Sequence, residues 1–193
     1  GSLAEAGAAA WAGETDLAGC FKVRHDVPPG ALRGSWPGFR GPGRDNVAAG
    51  AGRIAERWEE GGPKVLWSVP LGDGHAMPAL ADGSLYLLDY DEARGGDSLR
   101  CLNADTGAER WVHLYAVKTK RNHGISRTVA ATDGDAVVTL GPQCHVLCVD
   151  AKSGVYRWGL NLVSRYNAKV PLWYAGQCPL IDGGVAVLAD RKS

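Results

Sequence analysis

Cys101-Leu102-Asn103-Ala104-Asp105-Thr106-Gly107-Ala108-Glu109-Arg110-Trp111 and Cys148-Val149-Asp150-Ala151-Lys152-Ser153-Gly154-Val155-Tyr156-Arg157-Trp158 are two copies of one segment, offset by 47 at every position. Cys, Ala, Gly, Arg and Trp are identical between them, and most other positions are similar. Trp67 lies 44 before Trp111. A second element precedes each copy: Ala81-Asp82-Gly83-Ser84-Leu85-Tyr86 matches Thr132-Asp133-Gly134-Asp135-Ala136-Val137, and Ile181-Asp182-Gly183-Gly184-Val185-Ala186 is a third instance. The glycines of these elements are offset by 51 (83 to 134) and 49 (134 to 183).

Each unit reads as four short strands, A to D. Asp-Gly between two apolar runs is a hairpin signal, because the turn needs positive φ. It joins strand A to strand B, and Thr/Ser-Gly makes a second tight turn between strands C and D. Strands are expected near 76–81, 84–89, 98–103, 109–114, 126–131, 136–141, 145–150, 155–160 and 184–189. Four strands in ~45 residues, with a Gly turn and a Trp at fixed places, is the pattern of a β-propeller blade. The strand D Trp should pack its ring between neighbouring sheets. The fold class is therefore all-β: two full blades (about 64–114 and 115–163), part of a third (164–193), and an irregular N-terminal arm over 1–58. Asp-Gly and Ser-Gly interrupt every candidate helix.

Composition agrees. Of 193 residues, 45% are apolar and 22% charged, ordinary for a globular protein. Gly 27 implies many turns, and Trp 7 against Phe 2 suits a repeated Trp. Lys+Arg and Asp+Glu are equal at 21, so no net charge steers nucleic acid or an anionic membrane. The run Lys118-Thr119-Lys120-Arg121-Asn122-His123 reads as a solvated loop. No apolar stretch reaches membrane-spanning length. The opening Gly1-Ser2-Leu3-Ala4-Glu5-Ala6-Gly7 lacks the basic start of a signal peptide.

Asn103-Ala104-Asp105-Thr106-Gly107 to Trp111 and Asp150-Ala151-Lys152-Ser153-Gly154 to Trp158 resemble the pyrroloquinoline-quinone-like propeller repeats, whose signature is Leu-x-Ala-x-Thr-Gly-x-x-x-Trp after an Asp-Gly hairpin. The lead-in Trp36-Pro37-Gly38-Phe39-Arg40-Gly41-Pro42-Gly43-Arg44-Asp45 looks like that of secreted propellers of planctomycete- and verrucomicrobia-like bacteria. The resemblance covers about Trp36 to Ala189. It extends, more distantly, to the propeller lipoprotein of the outer-membrane β-barrel assembly machine, and it implies a periplasmic or secreted setting. Quinoprotein dehydrogenases of this family carry a vicinal Cys pair and a calcium set. This sequence has no adjacent cysteines, and no calcium set is recognisable. No cofactor and no catalytic residue are expected. The resemblance implies a non-catalytic binding or scaffold module of an extracytoplasmic bacterial protein. The alternatives are a fragment of a quinoprotein-type dehydrogenase and the product of a truncated reading frame.

In a propeller, D–A and B–C loops open on one face, and binding uses such loop-lined faces. His75 precedes the first strand A, and His123 precedes the second. Gln177 and Cys178 precede the third, after Trp173. Tyr90 and Asp91 fall in the first B–C loop, and Cys144 and His145 in the second. These nine residues form the candidate ligand face, for a protein or small molecule that the sequence does not identify. Five cysteines leave at least one unpaired within a monomer. Cys144 and Cys148, on one extended segment, would lie about 13 Å apart, too far for a disulfide. Cys101 and Cys148 read as buried thiols. Cys144 and Cys178, in loops of adjacent blades, could be free, disulfide-bonded or metal-bound. Two full blades and part of a third do not close a ring. Further blades or self-association are therefore needed to cover the open faces.

Overall fold

The structure, a computed structural model, describes residues 15–19, 21–48, 50, 52, 55–120 and 125–189. The first blade comprises β2 (Ala79–Ala81), β3 (Ser84–Asp91), β4 (Gly96–Asn103) and β5 (Glu109–Ala116). The second comprises β6 (Ala131–Thr132), β7 (Ala136–Leu140), β8 (His145–Asp150) and β9 (Tyr156–Asn161). A hairpin, β10 (Leu180–Asp182) and β11 (Val185–Val187), begins a third. A strand from the arm, β1 (Phe21–Arg24), precedes them all. Sheet orders are β1-β5-β4-β3-β2, β6-β7-β8-β9 and β10-β11, paired antiparallel throughout. This is the expected architecture of two meander blades and the first hairpin of a third.

The turns explain the meander. Asp82 and Gly83 both take positive φ (47° and 69°) between the paired residues Ala81 and Ser84. Gly183 and Gly184 do the same between Asp182 and Val185. These are two-residue hairpins whose twist matches the strands. The second blade differs. Its last A–B pair is Thr132 with Val137, and the Asp133 carboxylate accepts from the amides of Asp135 (3.0 Å) and Ala136 (2.8 Å). The cross-strand register therefore aligns Tyr86, opposite Cys101, with Val138, opposite Cys148, an offset of 52 (86 to 138). The Asp-Gly pairs, 51 apart in sequence, sit one residue out of structural register.

Strand A is shorter than expected in both blades. In the second, 126–130 lies outside the ladder because its backbone bonds across blades. The Ser126 carbonyl accepts from the His75 amide (2.8 Å), and the Val129 amide donates to Cys178 Sγ (3.3 Å). One short helix, α1 (Leu162–Tyr166), follows β9; Asn161 caps it by accepting from the amides of Val163 and Ser164.

The described part of the arm is mostly irregular, yet it covers both edges of the first sheet. β1 pairs along β5, with Phe21 opposite Leu114 and Arg24 opposite Trp111. At the other edge Trp36 exchanges two backbone hydrogen bonds with Leu80 (2.8 and 2.9 Å). Both edges of the first sheet are therefore paired. An edge strand left open is a template for aggregation, and here the chain closes its own.

The blades are joined by tryptophan. Trp111 Nε1 donates to the Ala151 carbonyl (3.2 Å), and its ring lies on Gly154, where a Cβ would come within 2.6 Å. Trp67 repeats the joint one blade earlier. Its Nε1 donates to the Ala104 carbonyl (3.2 Å), and its ring lies on Gly107, where a Cβ would come within 2.5 Å. Trp111 and Trp158 occupy equivalent positions, opposite Cys101 and Cys148, each beside a bulge. Trp111 is 1% exposed and Trp158 37%. The first stretch of a third blade, β10–β11, packs on the inner strands of the second through Ile181 and Ala186 but stops short of Trp158.

Burial decides the response to truncation. Trp111→Ala should destabilise the chain by about 3–5 kcal/mol, the range for a fully buried aromatic. Trp158→Ala should cost less than ~1 kcal/mol. Urea unfolding of the two variants checks this; equal losses would mean that Trp158 is already packed.

Candidate functional site

The D–A and B–C loops of the two blades meet around a buried carboxylate. Asp97, near the start of β4, is 2% exposed. Its Oδ1 accepts from the Ser126 hydroxyl and its Oδ2 from the Tyr115 hydroxyl (2.8 Å). Gly141 lies against both: a Cβ there would come within 2.0 Å of the Tyr115 oxygen. Thus β4, β5, the D–A loop and the loop after β7 are knotted at one point. Burial pushes the Asp97 carboxyl up to about 6; the hydroxyl donors work against that rise, and the Asp89 charge adds to it.

The same joint recurs one blade on with different chemistry. Asp97 and Cys144 are equivalent, each paired with the residue 18 further along, Tyr115 and Leu162 respectively. Cys144 packs in an apolar cluster with Ala175, which stands 49 after Ser126. Carboxylate and hydroxyl in one joint are replaced by thiol and methyl in the next. Beside Cys144 lies a cavity of about 240 Å³, lined by Leu140, Leu162, Tyr174, Ala175 and Gln177 among others. A neighbouring recess of about 400 Å³ takes in Lys118, Gln143, His145 and Asn161.

The nine residues of the expected face fare unequally. Tyr90 is not in a loop: it lies in β3, 6% exposed, with its hydroxyl donating to the Val117 carbonyl (3.0 Å). Asp91 ends β3 and holds Arg94 (2.5 Å). Both lie in the strand because β3 runs on past the point where a loop was expected. His145 opens β8, 4% exposed, with its ring edge-on to Tyr115 at 5.7 Å. His75 is exposed, and Trp173 is 51% exposed. Gln177 faces the backbone of Ala189. His123 lies outside the described residues.

Cys144 and Cys178 are both free thiols, so the disulfide alternative does not form. Among the described residues no group of three His, Cys, Asp or Glu is placed to hold a metal ion. Cys101 and Cys148 are buried thiols, as their positions in strand C imply. Burial pushes Cys101 up to about 11 and raises Cys144, Cys148 and Cys178, which opposes thiolate chemistry. Asp97 escaped sequence reading because nothing local marks it. Its only signal is a carboxylate in strand C where the next repeat has a thiol.

Residues 4–192 match the family described as outer membrane protein assembly factor BamB. The serine/threonine-protein kinase AfsK of Streptomyces griseus is 31% identical over 149 residues, which are 75% of this chain and 17% of the kinase. Among solved structures, BamB from Moraxella catarrhalis aligns at 21% identity and a TM-score of 0.29, over 58% of this chain and 37% of that one. The chain therefore spans well under two thirds of either relative. Among the described residues, no helix is long and apolar enough to cross a membrane.

The Asp97 knot has a sign that can be tested. Its carboxyl is raised in the folded chain, so its contribution is fully present below the unfolded value of 3.8 and is lost as pH rises through about 6. The gap corresponds to roughly 3 kcal/mol. Buried His113, whose imidazole is pushed down by burial, works in the opposite direction over an overlapping range. The wild type should therefore be compared with Asp97→Asn. Between pH 7 and 4, wild-type stability should rise relative to the variant by about that amount. Parallel curves would show that Asp97 is ionised in the fold.

Proposed function

The chain belongs to the family of propeller-repeat proteins described as outer membrane protein assembly factor BamB, and from that premise we propose that it is a non-catalytic binding or scaffold module of an extracytoplasmic protein. The observation that carries this reading is the outer flank of the second blade. Trp158 and Leu160 on β9 are each 37% exposed, and Val185 and Val187 on β11 are 61% and 49% exposed. The Trp67 and Trp111 joints already bind a Gly turn in this geometry. The flank therefore presents part-exposed apolar surface that includes an indole, suited to a protein partner. Much of the loop-face chemistry is engaged internally: Asp97 ties Ser126 and Tyr115 together, Tyr90 bonds the Val117 carbonyl and Asp91 holds Arg94. The extracytoplasmic setting rests on the family description alone.

At micromolar concentration the isolated chain should self-associate and bind an apolar-surface dye. Trp158→Ser should weaken both while leaving the melting temperature within a few degrees, since the side chain is part-exposed. Light scattering after size exclusion reads the first, and a dye-silent monomer would overturn the docking surface. Pyrroloquinoline quinone, with or without calcium, should give no saturable absorbance change. Micromolar binding would instead favour the dehydrogenase alternative.

A further inference from the structure

Arg110 and Arg157 hold the same place in successive blades, 47 apart. Arg157 is neutralised twice, by Asp135 (2.6 Å) and Asp150 (2.8 Å). The strand register shows what stands in those places around Arg110. Ser84 pairs with Asn103 as Ala136 pairs with Asp150, so Asn103 replaces Asp150. By the same register Gly83, the residue before Ser84, replaces Asp135. Both carboxylates are absent from the first blade.

Arg110 is nevertheless fixed. Nη1 donates to the buried Ser84 hydroxyl (2.6 Å) and approaches Cys101 Sγ (3.6 Å), while Nε donates to the Val27 carbonyl (3.2 Å). These neutral partners orient the guanidinium and leave its charge uncompensated. Nη2 has no partner among the described residues, so one arm of the fork remains open.

That arm belongs to a cleft of about 760 Å³, walled by Arg24, His25, Asp26, Arg110 and Lys152. Among the described residues Arg24, Arg110 and Lys152 have no carboxylate within 4.0 Å, whereas Arg157, which holds the place of Arg110 in the next blade, has two. His25 leans on Glu109 (3.5 Å), which leaves Asp26 as the acid on the wall. In a chain with no net charge, three uncompensated cations around one concavity are a local excess. The cleft has the size of a small-ligand site. It lies between the arm and the C–D turn of the second blade, at the opposite end of the sheets from the Asp97 knot.

We propose that this cleft is an anion-binding site, taking a small ligand that presents a phosphate or carboxylate group to the Arg110 guanidinium. The ligand supplies the negative charge that Asp135 and Asp150 supply to Arg157. Arg24 and Lys152 add attraction from the rim, and the arm carbonyl at Val27 keeps the guanidinium aimed. The proposal is independent of the protein-docking surface at Trp158.

The test is titration of the whole chain with inorganic phosphate and, separately, succinate, at constant ionic strength, read by calorimetry and by the Arg110 Nε–H resonance. Saturable binding of at least one anion is expected, and the tighter of the two identifies the ligand group. Asn103→Asp restores the carboxylate used by the second blade. Its Oδ1 can still accept from the amides of Asp105 and Thr106, as Asp150 does from Lys152 and Ser153. It should weaken binding at least ~10-fold, the scale of one charge-assisted hydrogen bond. Lys152→Gln, on an exposed turn, should also weaken binding with the fold intact, which keeps the test valid if Asn103→Asp unfolds. Arg94→Gln, at a paired site elsewhere, should bind as wild type. No saturable binding by the wild type, or binding unchanged in both Asn103→Asp and Lys152→Gln, overturns the proposal.

Discussion

Everything else in this chain rests on an indole laid across a glycine turn of the next blade. A four-stranded sheet of this size cannot bury both faces alone. The joint solves that by placing the Trp111 ring on Gly154 and directing Nε1 at the Ala151 carbonyl. The glycine is required twice over. Its φ is 69°, and any Cβ there would enter the ring. Asp150 prepares the turn by accepting from the amides of Lys152 and Ser153, and Asn103 does the same for Asp105 and Thr106. Trp67 makes the identical joint without lying in a strand. The interaction therefore defines the blade boundary more faithfully than the ladder does.

The segment carrying Trp67 is also tied to the first blade by polar contacts. Pro70 offers its carbonyl to Arg100 (2.8 Å), and the Gly72 amide donates to the Asp89 carboxylate (2.9 Å). Arg100 in turn pairs with Asp89 and Glu109. This flank of the first blade combines these paired polar groups with the exposed side chains of Val65, Leu66 and Leu71. The far flank of the second, at Trp158, is apolar and part-exposed.

Between repeats the backbone is conserved in geometry while the chemistry is exchanged. Asp97 with Ser126 becomes Cys144 with Ala175. Arg157 held by two acids becomes Arg110 held by a hydroxyl and a carbonyl. A repeat supplies its own control in such cases, because the second copy shows what the position requires for stability alone.

Periodic and local features were legible in the sequence. The two turns per unit, the tryptophan spacing and the buried strand C cysteines each depend on a few neighbouring residues and recur, so the pattern reinforces itself. What depends on residues far apart in the chain was not. The structural register of 52 rather than 51 shows only in the strand pairs, Ala79 with Tyr86 and Ala131 with Val138, which put the Asp-Gly of the second turn one residue early. Tyr90 reads as a loop residue until β3 is seen to run through it to Asp91. β1 has no hairpin or Trp signal, and it exists because the edge of β5 is there to pair with. Asp97 and Arg110 acquire their character from partners contributed by another blade or the arm, Ser126 in one case and Val27 in the other. The sequence alone determined that blades form and where each one turns. Which side chain meets which, and so where charge is buried or left uncompensated, was decided only when separate stretches of chain were packed against each other.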